Sequence, residues 1–280
     1  MRYRNRVREA LVRSRVLAAA LCLLAICAGR VWAQTPDTVL LEELTWTEVR
    51  DLVGAKTMTI IVPVGGTEQN GPHMTLGKHN ARVRILSEKI ARALGNTLVA
   101  PVIAYVPEGQ LNPATGHRRF PGTITVPDET FQRGLEYAAR SFKLHGFRDI
   151  VFLGDHGGTQ AGQTAVAARL NREWARAPVR VHAIEEYYRA ADVEFPRLLG
   201  ERGYRKEELG LHAGLADTSL MLAVDPRMVR AGRLRPDAWP AGASGVSGDP
   251  TRASAELGRP GVEMIVTRTA EAIRKSIARR

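Results

Sequence analysis

Cysteine is almost missing from this 280-residue sequence: there are two, Cys22 and Cys27, and both fall in the first 33 residues. Those residues read as a secretory leader. A basic stretch, "MRYRNRVREALVRSR", precedes the apolar "VLAAALCLLAICAG", and "VWA" before Gln34 supplies a cleavage site. The apolar stretch is shorter than the ~20 residues a membrane span needs, which argues against an anchor. Ile26 before Cys27 argues against a lipid-modified cysteine, and no Arg-Arg pair in this segment points to the twin-arginine route. The expected division is therefore 1–33 signal peptide and 34–280 mature domain, secreted or periplasmic, with no membrane association after cleavage.

Without cysteine the mature chain has no disulfide and no thiolate chemistry, so a metal would have to be held by His, Asp, Glu or Asn. Removing 1–33 lowers the formal charge from +11 to +5, with 33 basic residues against 28 acidic ones. The Lys and Arg that remain are dispersed rather than clustered, which speaks against a nucleic-acid partner. Internal repeats and linkers are also lacking, so residues 34–280 are expected to form one domain.

What is present is an alternation of strands and helices. Thr45 stands three residues before Glu48 in "LTWTEVRDLV", a capping-box spacing, with Trp46, Val49 and Val53 on one helical face. A strand over 58–64 follows, then a helix carrying Val83, Leu86, Ile90 and Leu94 up to Gly95, and a short strand "TLVAPVI". Residues 106–123 read as a loop. Asp128 opens a helix with Phe131, Leu135, Ala138 and Phe142 inward, and "DIVFLGDHGG" repeats the strand–Gly–polar pattern before another helix. "VRVHAIEEY" alternates like a strand, Asp217 begins a helix, 231–261 look irregular, and "GVEMIVTRTAEAIRKSIARR" closes the chain as an amphipathic helix. This order predicts a three-layer α/β/α fold with a mostly parallel central sheet.

In such sheets ligands gather beyond the carboxyl ends of the strands. Glu68 and the pair Asp155–His156 lie there, one strand each, and His79 starts the helix after the first loop. A helix N-terminus disfavours imidazolium, so His79 tends toward the neutral, metal-binding form. Glu68, His79 and His156 thus make a candidate set for zinc or a similar divalent ion such as Mn or Fe. Asn70, His73, His117 and Asp155 are candidates for substrate contact. Plainer readings stand beside these: Glu68 serving its own turn, His73 a bonded loop residue, His145 a helix cap and His182 a structural strand residue.

Several segments resemble the creatininase (creatinine amidohydrolase) family over roughly 44–266. "VPVGGTEQNGPHMTLGKHN" is similar to the family's "PxGSxEQHGPHLPLxxD". "GHRRFPGTITV" and "GFRDIVFLGDHGGTQ" are similar to its "H..FPGT" and "NGHGGN" stretches. "LHAGLADTSLMLAVDP" is similar to "HAGxxETS", and "GVSGDPTRASAELG" to a late Gly–Asp–Pro loop. The resemblance implies an α/β/α metal-dependent hydrolase of amide C–N bonds, acting on a small and often cyclic molecule, and a hexameric homo-oligomer. It places Glu68 and His156 on metal ligands and His212 on the histidine that carries a proton at the substrate. Asp217 stands where the family usually has Glu, and is expected to position or deprotonate the water, with a helix cap as its plainer role. Asn70, His79 and Gly158 depart from the pattern: the first two replace a second-metal His and a bridging Asp. A neutral imidazole has one lone pair and cannot bridge, so one ion per chain is expected. A lactone or peptide substrate, and a binding protein without turnover, are the rival functions.

Overall fold

The computed structural model describes residues 36–235, 237, 239 and 244–279, and the leader expected over 1–33 lies outside them. The compact unit is Thr38–Arg280. Thr45 does open the first helix, α1 (Trp46–Gly54): its hydroxyl accepts from Glu48 N at 3.4 Å, while Glu48 Oε2 accepts from Thr45 N at 2.6 Å. Trp46 is not on the inward face, however. It is 75% exposed and carries the Arg50 guanidinium over its ring, while Val49 and Val53 pack inward.

Four parallel strands follow: β1 (Thr59–Val64), β2 (Thr97–Val99), β3 (Asp149–Gly154) and β4 (Arg180–Ala183), in the order β2-β1-β3-β4. The helices between them are α2 (Lys78–Leu94) after β1, α3 (Asp128–Leu144) after β2, and α4 (Gln160–Glu173) after β3. The register pairs Ile60 with Ile150 and Val62 with Phe152, so alternate side chains serve opposite faces. Ile60, Val62, Ile150 and Phe152 pack with Phe131, Leu135, Val166 and Leu170 from α3 and α4. Ile61, Val151 and Leu153 pack on the other face with Val83, Leu86 and Ile90 of α2. Helices α5 (Leu215–Val224) and α6 (Ala255–Ala278) complete that second layer through Leu215, Leu220, Ile265 and Ile273. The three-layer α/β/α fold and its parallel sheet are as the sequence predicts.

Three boundaries differ from the sequence reading. The fourth strand stops at Ala183, and 186–201 is helical with a π turn at Ala190–Glu194, because Tyr187 turns inward to a buried carboxylate. Helix α5 begins at Leu215 behind Gly214, so Asp217 sits inside its first turn instead of capping it. Helix α6 starts at Ala255, where the Ser254 hydroxyl accepts from Leu257 N at 3.1 Å; Pro260 removes one ladder bond without stopping it. No helix among the described residues is long and apolar enough to cross a membrane.

The topology fixes where a ligand belongs. β1 and β3 are neighbours, but α2 leaves β1 toward one face and α4 leaves β3 toward the other. The loops leaving their carboxyl ends therefore part, and a crevice opens between them.

Candidate metal centre

The loop after β1 is pinned at once. A Cβ on Gly65 would come within 2.1 Å of Asn80 Oδ1, and that oxygen accepts from Gly66 N at 3.0 Å. This close approach to α2 carries the chain to Glu68, which is fully buried. The loop after β3 delivers Asp155 and His156. Together with His117 and His212 they line a cavity of about 360 Å³, walled on another side by Ala191, Pro196, Leu209, Leu211 and Leu220.

His79 spans two carboxylates. Its Nδ1 lies 2.5 Å from Asp155 Oδ1 and its Nε2 2.7 Å from Glu68 Oε1. With Nδ1–H donated to Asp155, Nε2 is the nitrogen presented to the centre, the arrangement by which carboxylates orient metal-binding histidines. Asp155 is itself fixed by the Arg82 guanidinium at 2.7 to 3.1 Å and by the Tyr187 hydroxyl at 2.6 Å. Burial alone would raise its carboxyl, yet Arg82 and His79 hold it well below the usual carboxylate range. Its oxygens are engaged with these partners, so the structure makes Asp155 an anchor for His79 rather than a contact for substrate.

Glu68 Oε2 is buried and has no hydrogen-bond partner. It faces His117 Nε2 and His156 Nε2, each at 3.7 Å, while Oε1 is also 3.7 Å from His212 Nδ1. These gaps are too long for hydrogen bonds. They match donors sharing one ion, since two ligands about 2.0–2.1 Å from a tetrahedral metal stand roughly 3.4 Å apart. Two donor groups result, Glu68 with His79 and His156, and Glu68 with His117 and His212, with the donor atoms of each within 4.8 Å of one another. The first is the set read from the sequence. The second was not: His117 was expected on substrate and His212 on a proton. The residues present therefore fit divalent metal at two positions around one carboxylate, where the sequence pointed to one ion. Glu68 can serve both because a carboxylate has two oxygens, the property lost when His79 replaced the family's Asp.

Gln69 fixes the second group. Its Oε1 accepts from Gly71 N at 2.9 Å and its Nε2 donates to Gly245 O at 2.8 Å while packing against His117 Nδ1. Gly245 has φ +74°, and a Cβ there would meet Gln69 Oε1 at 2.0 Å, so only glycine fits. His212 Nε2–H donates to the Gln69 carbonyl at 2.9 Å, which leaves the Nδ1 lone pair facing Glu68.

Asn70 and His73 do not line the cavity. Asn70 closes its own turn, donating to Glu68 O at 2.9 Å and Thr75 O at 3.0 Å. His73 is buried against Thr218 Oγ1 at 3.0 Å and stacks on Trp239. His145 ends α3 and His182 bonds Asp149 and Ser276, the plainer roles given to them. Asp217 lines the cavity, but Lys78 Nζ (2.7 Å) and Ala213 N (3.0 Å) occupy Oδ2 and Arg82 NH1 (2.6 Å) occupies Oδ1. Against the cost of burial, Lys78 and Arg82 hold it well below the carboxylate range, a poor state for a base.

Sequence reasoning missed Lys78, Arg82, Tyr187 and Glu108. A cation in the first turn of a helix with no acidic residue there opposes the dipole, and that was a usable signal for Lys78. Glu108, inside the aperiodic loop, carried none. It approaches His156 Nε2 at 3.4 Å, and burial together with the charge of Glu68 pushes its carboxyl up to about 9.

Burial also pushes the imidazoles of His156 and His212 down to about 4, aided by the charges of His79 and Lys78 respectively. In the metal-free protein the unfolded chain then takes up these protons first as pH falls from the ordinary value near ~6.5. Stability held above that pH is lost toward pH 4, while Glu108 acts in the opposite sense above its ordinary range. Comparing the wild type with His212→Gln isolates one ring. Between pH 7 and 4.5 the wild type should lose roughly 2 kcal/mol more, read from urea midpoints. Equal losses would mean that burial does not keep this ring neutral.

A family model described as creatininase (creatinine amidohydrolase) matches residues 42–273. A 3-dehydro-scyllo-inosose hydrolase of Thermotoga maritima is 27% identical over 277 residues, covering 83% of this chain and 82% of its own. The creatinine amidohydrolase of Pseudomonas putida is 27% identical over 200 residues, covering 70% and 76%. A mycofactocin precursor peptide peptidase of Mycobacterium tuberculosis is 28% identical over 226 residues, covering 72% and 78%. Among solved structures, one described as "Creatininase Mn" superposes with a TM-score of 0.70 at 26% identity, over 86% of this chain and 99% of its own. A creatininase mutant of "Zn-Zn type" gives 0.70 at 27% over the same shares. Fold, ordered motifs and a Glu–His centre at the sheet's crevice agree with these matches, and the chain belongs to the creatininase family.

Proposed function

We propose that this chain is an exported, metal-dependent hydrolase that cleaves the C–N bond of a small amide. The carrying observation is Glu68 Oε2, a buried carboxylate oxygen without a partner, set among imidazole nitrogens at the base of a small-molecule cavity. The donor set is one carboxylate and imidazoles, which suits zinc, with manganese as the alternative. A divalent ion held by Glu68, His79 and His156 would polarise a carbonyl and bring the pKa of a bound water to about 7. The chain's own residues do the remainder. Asp155 holds the ring of His79, and the buried side chains of Leu209 and Leu220 form an apolar wall on the cavity's far side. With the ion on Glu68, His79 and His156 and the His117–His212 position empty, the His212 Nδ1 lone pair is free to receive a proton from water and deliver it to the departing nitrogen. Asp217 secures Lys78 and Arg82 in place of acting as the base.

The relatives include a precursor peptide peptidase and a 3-dehydro-scyllo-inosose hydrolase, so the bond is the finer question. Elemental analysis of the 34–280 protein, joined to a panel of cyclic amides, lactones and short peptides, answers both parts. Bound zinc or manganese with turnover of an amide is the expected result. Turnover of lactones alone would move the reaction to C–O bonds. Absence of bound metal, with no hydrolysis on adding zinc or manganese, would leave a binding protein and overturn the proposal.

A further inference from the structure

Lys78 is 1% exposed, yet it lies in the first turn of α2, where the helix dipole opposes a cation. Burying an ammonium is expensive unless it is paired. The structure bears further costs to keep it there. Asp217 accepts its Nζ at 2.7 Å, and Asp217 is steadied by the N–H of Ala213, a non-glycine residue at φ 55°. Arg82 pairs with both Asp217 and Asp155, so Lys78 supplies the second positive charge against those two carboxylates, a role that one contact to Asp217 fulfils. Among the described residues the Lys78 side chain makes one hydrogen bond, to Asp217, so two of its three hydrogens are unassigned. The ammonium borders the same cavity as Glu68, His156 and His212, and its charge acts on all three.

We propose that Lys78 is a catalytic residue, whose ammonium, aimed by Asp217, donates to the anionic oxygen formed when the substrate's carbonyl is attacked. This inference rests on the hydrolase reading. The water oxygen bonds to the carbonyl carbon, the π pair moves onto the carbonyl oxygen beside Lys78, and, with the His117–His212 position empty, one water proton passes to His212 Nδ1. When the C–N bond breaks, the oxygen pair re-forms the carbonyl and the nitrogen leaves with the proton from His212. An acid and an amine result, with one water consumed.

The test uses the metal-loaded 34–280 chain and inorganic phosphate, a tetrahedral oxyanion, followed by calorimetry. Lys78→Met should keep its metal content and weaken phosphate binding at least tenfold. On the best amide of the panel it should lower kcat by about 10²–10³ with KM within about threefold, the scale of losing one oxyanion donor. Asp217→Asn, which keeps the ammonium but loosens its anchor, should show a smaller loss in both readouts and serves if the first variant does not fold. Unchanged phosphate affinity and kcat in Lys78→Met overturns the inference, as does a rise in KM at constant kcat. Should the wild type hydrolyse nothing while Lys78→Met still loses phosphate, the anion site stands and the hydrolase reading falls.

Discussion

Glu68→Ala should strip the protein of metal and abolish hydrolysis together. Both donor groups depend on this carboxylate, one oxygen 2.7 Å from His79 and 3.7 Å from His212, the other 3.7 Å from His117 and His156. Without it each donor group keeps only imidazoles and loses its one carboxylate. Changes to outer partners of metal ligands already cost 10–100-fold in metal affinity or activity. Loss of the shared ligand should therefore exceed about a hundredfold, measured as metal per chain after dialysis and as turnover of the amide. Asn70→Ala is the control: it lies in the same loop but outside the cavity lining, so it should lose turn stability and keep its metal. Metal retained at wild-type level in Glu68→Ala would refute the centre.

Arg82→Met should produce the largest loss of stability. The guanidinium forks onto Asp155, buried with it, and reaches Asp217, whose side chain is 20% exposed to the cavity. Removing it strands two carboxylates, one of which keeps only His79 and Tyr187 and the other Lys78 and a backbone N–H. Breaking a buried pair in this way costs about 3–5 kcal/mol. At ~2–4 °C per kcal/mol for a domain of this size, melting should fall on the order of 10 °C. A fall below about 1 kcal/mol in urea titration would show that water relaxes into the site and that the network is not buried in solution.

The sequence exposed the parts of the site that are local. An apolar run, a glycine and then polar residues marked the ends of β1 and β3, and that pattern led to Glu68, His156 and the helix start at His79. What it hid was long-range. Lys78 and Asp217 lie 139 residues apart, and Glu68 and His212 meet only because the loop before α5 folds over the crevice. No periodicity encodes such pairs. Asp217 carried a helix-start signal that is real within three residues, but its acid–base role depended on partners that only the fold supplies. Trp46 shows the converse error: helical spacing gave its face correctly relative to neighbours, yet the first turn projects past the edge of the core.

The two donor groups are not mounted alike. Glu68, His79 and His156 stand on the ends of core strands and the first turn of a helix, whereas His117 and His212 come from the loops that roof the cavity. The consequence is unequal permanence. A chelator would draw first on the position whose rings ride on the roof, and the one set into the floor would be the last to empty.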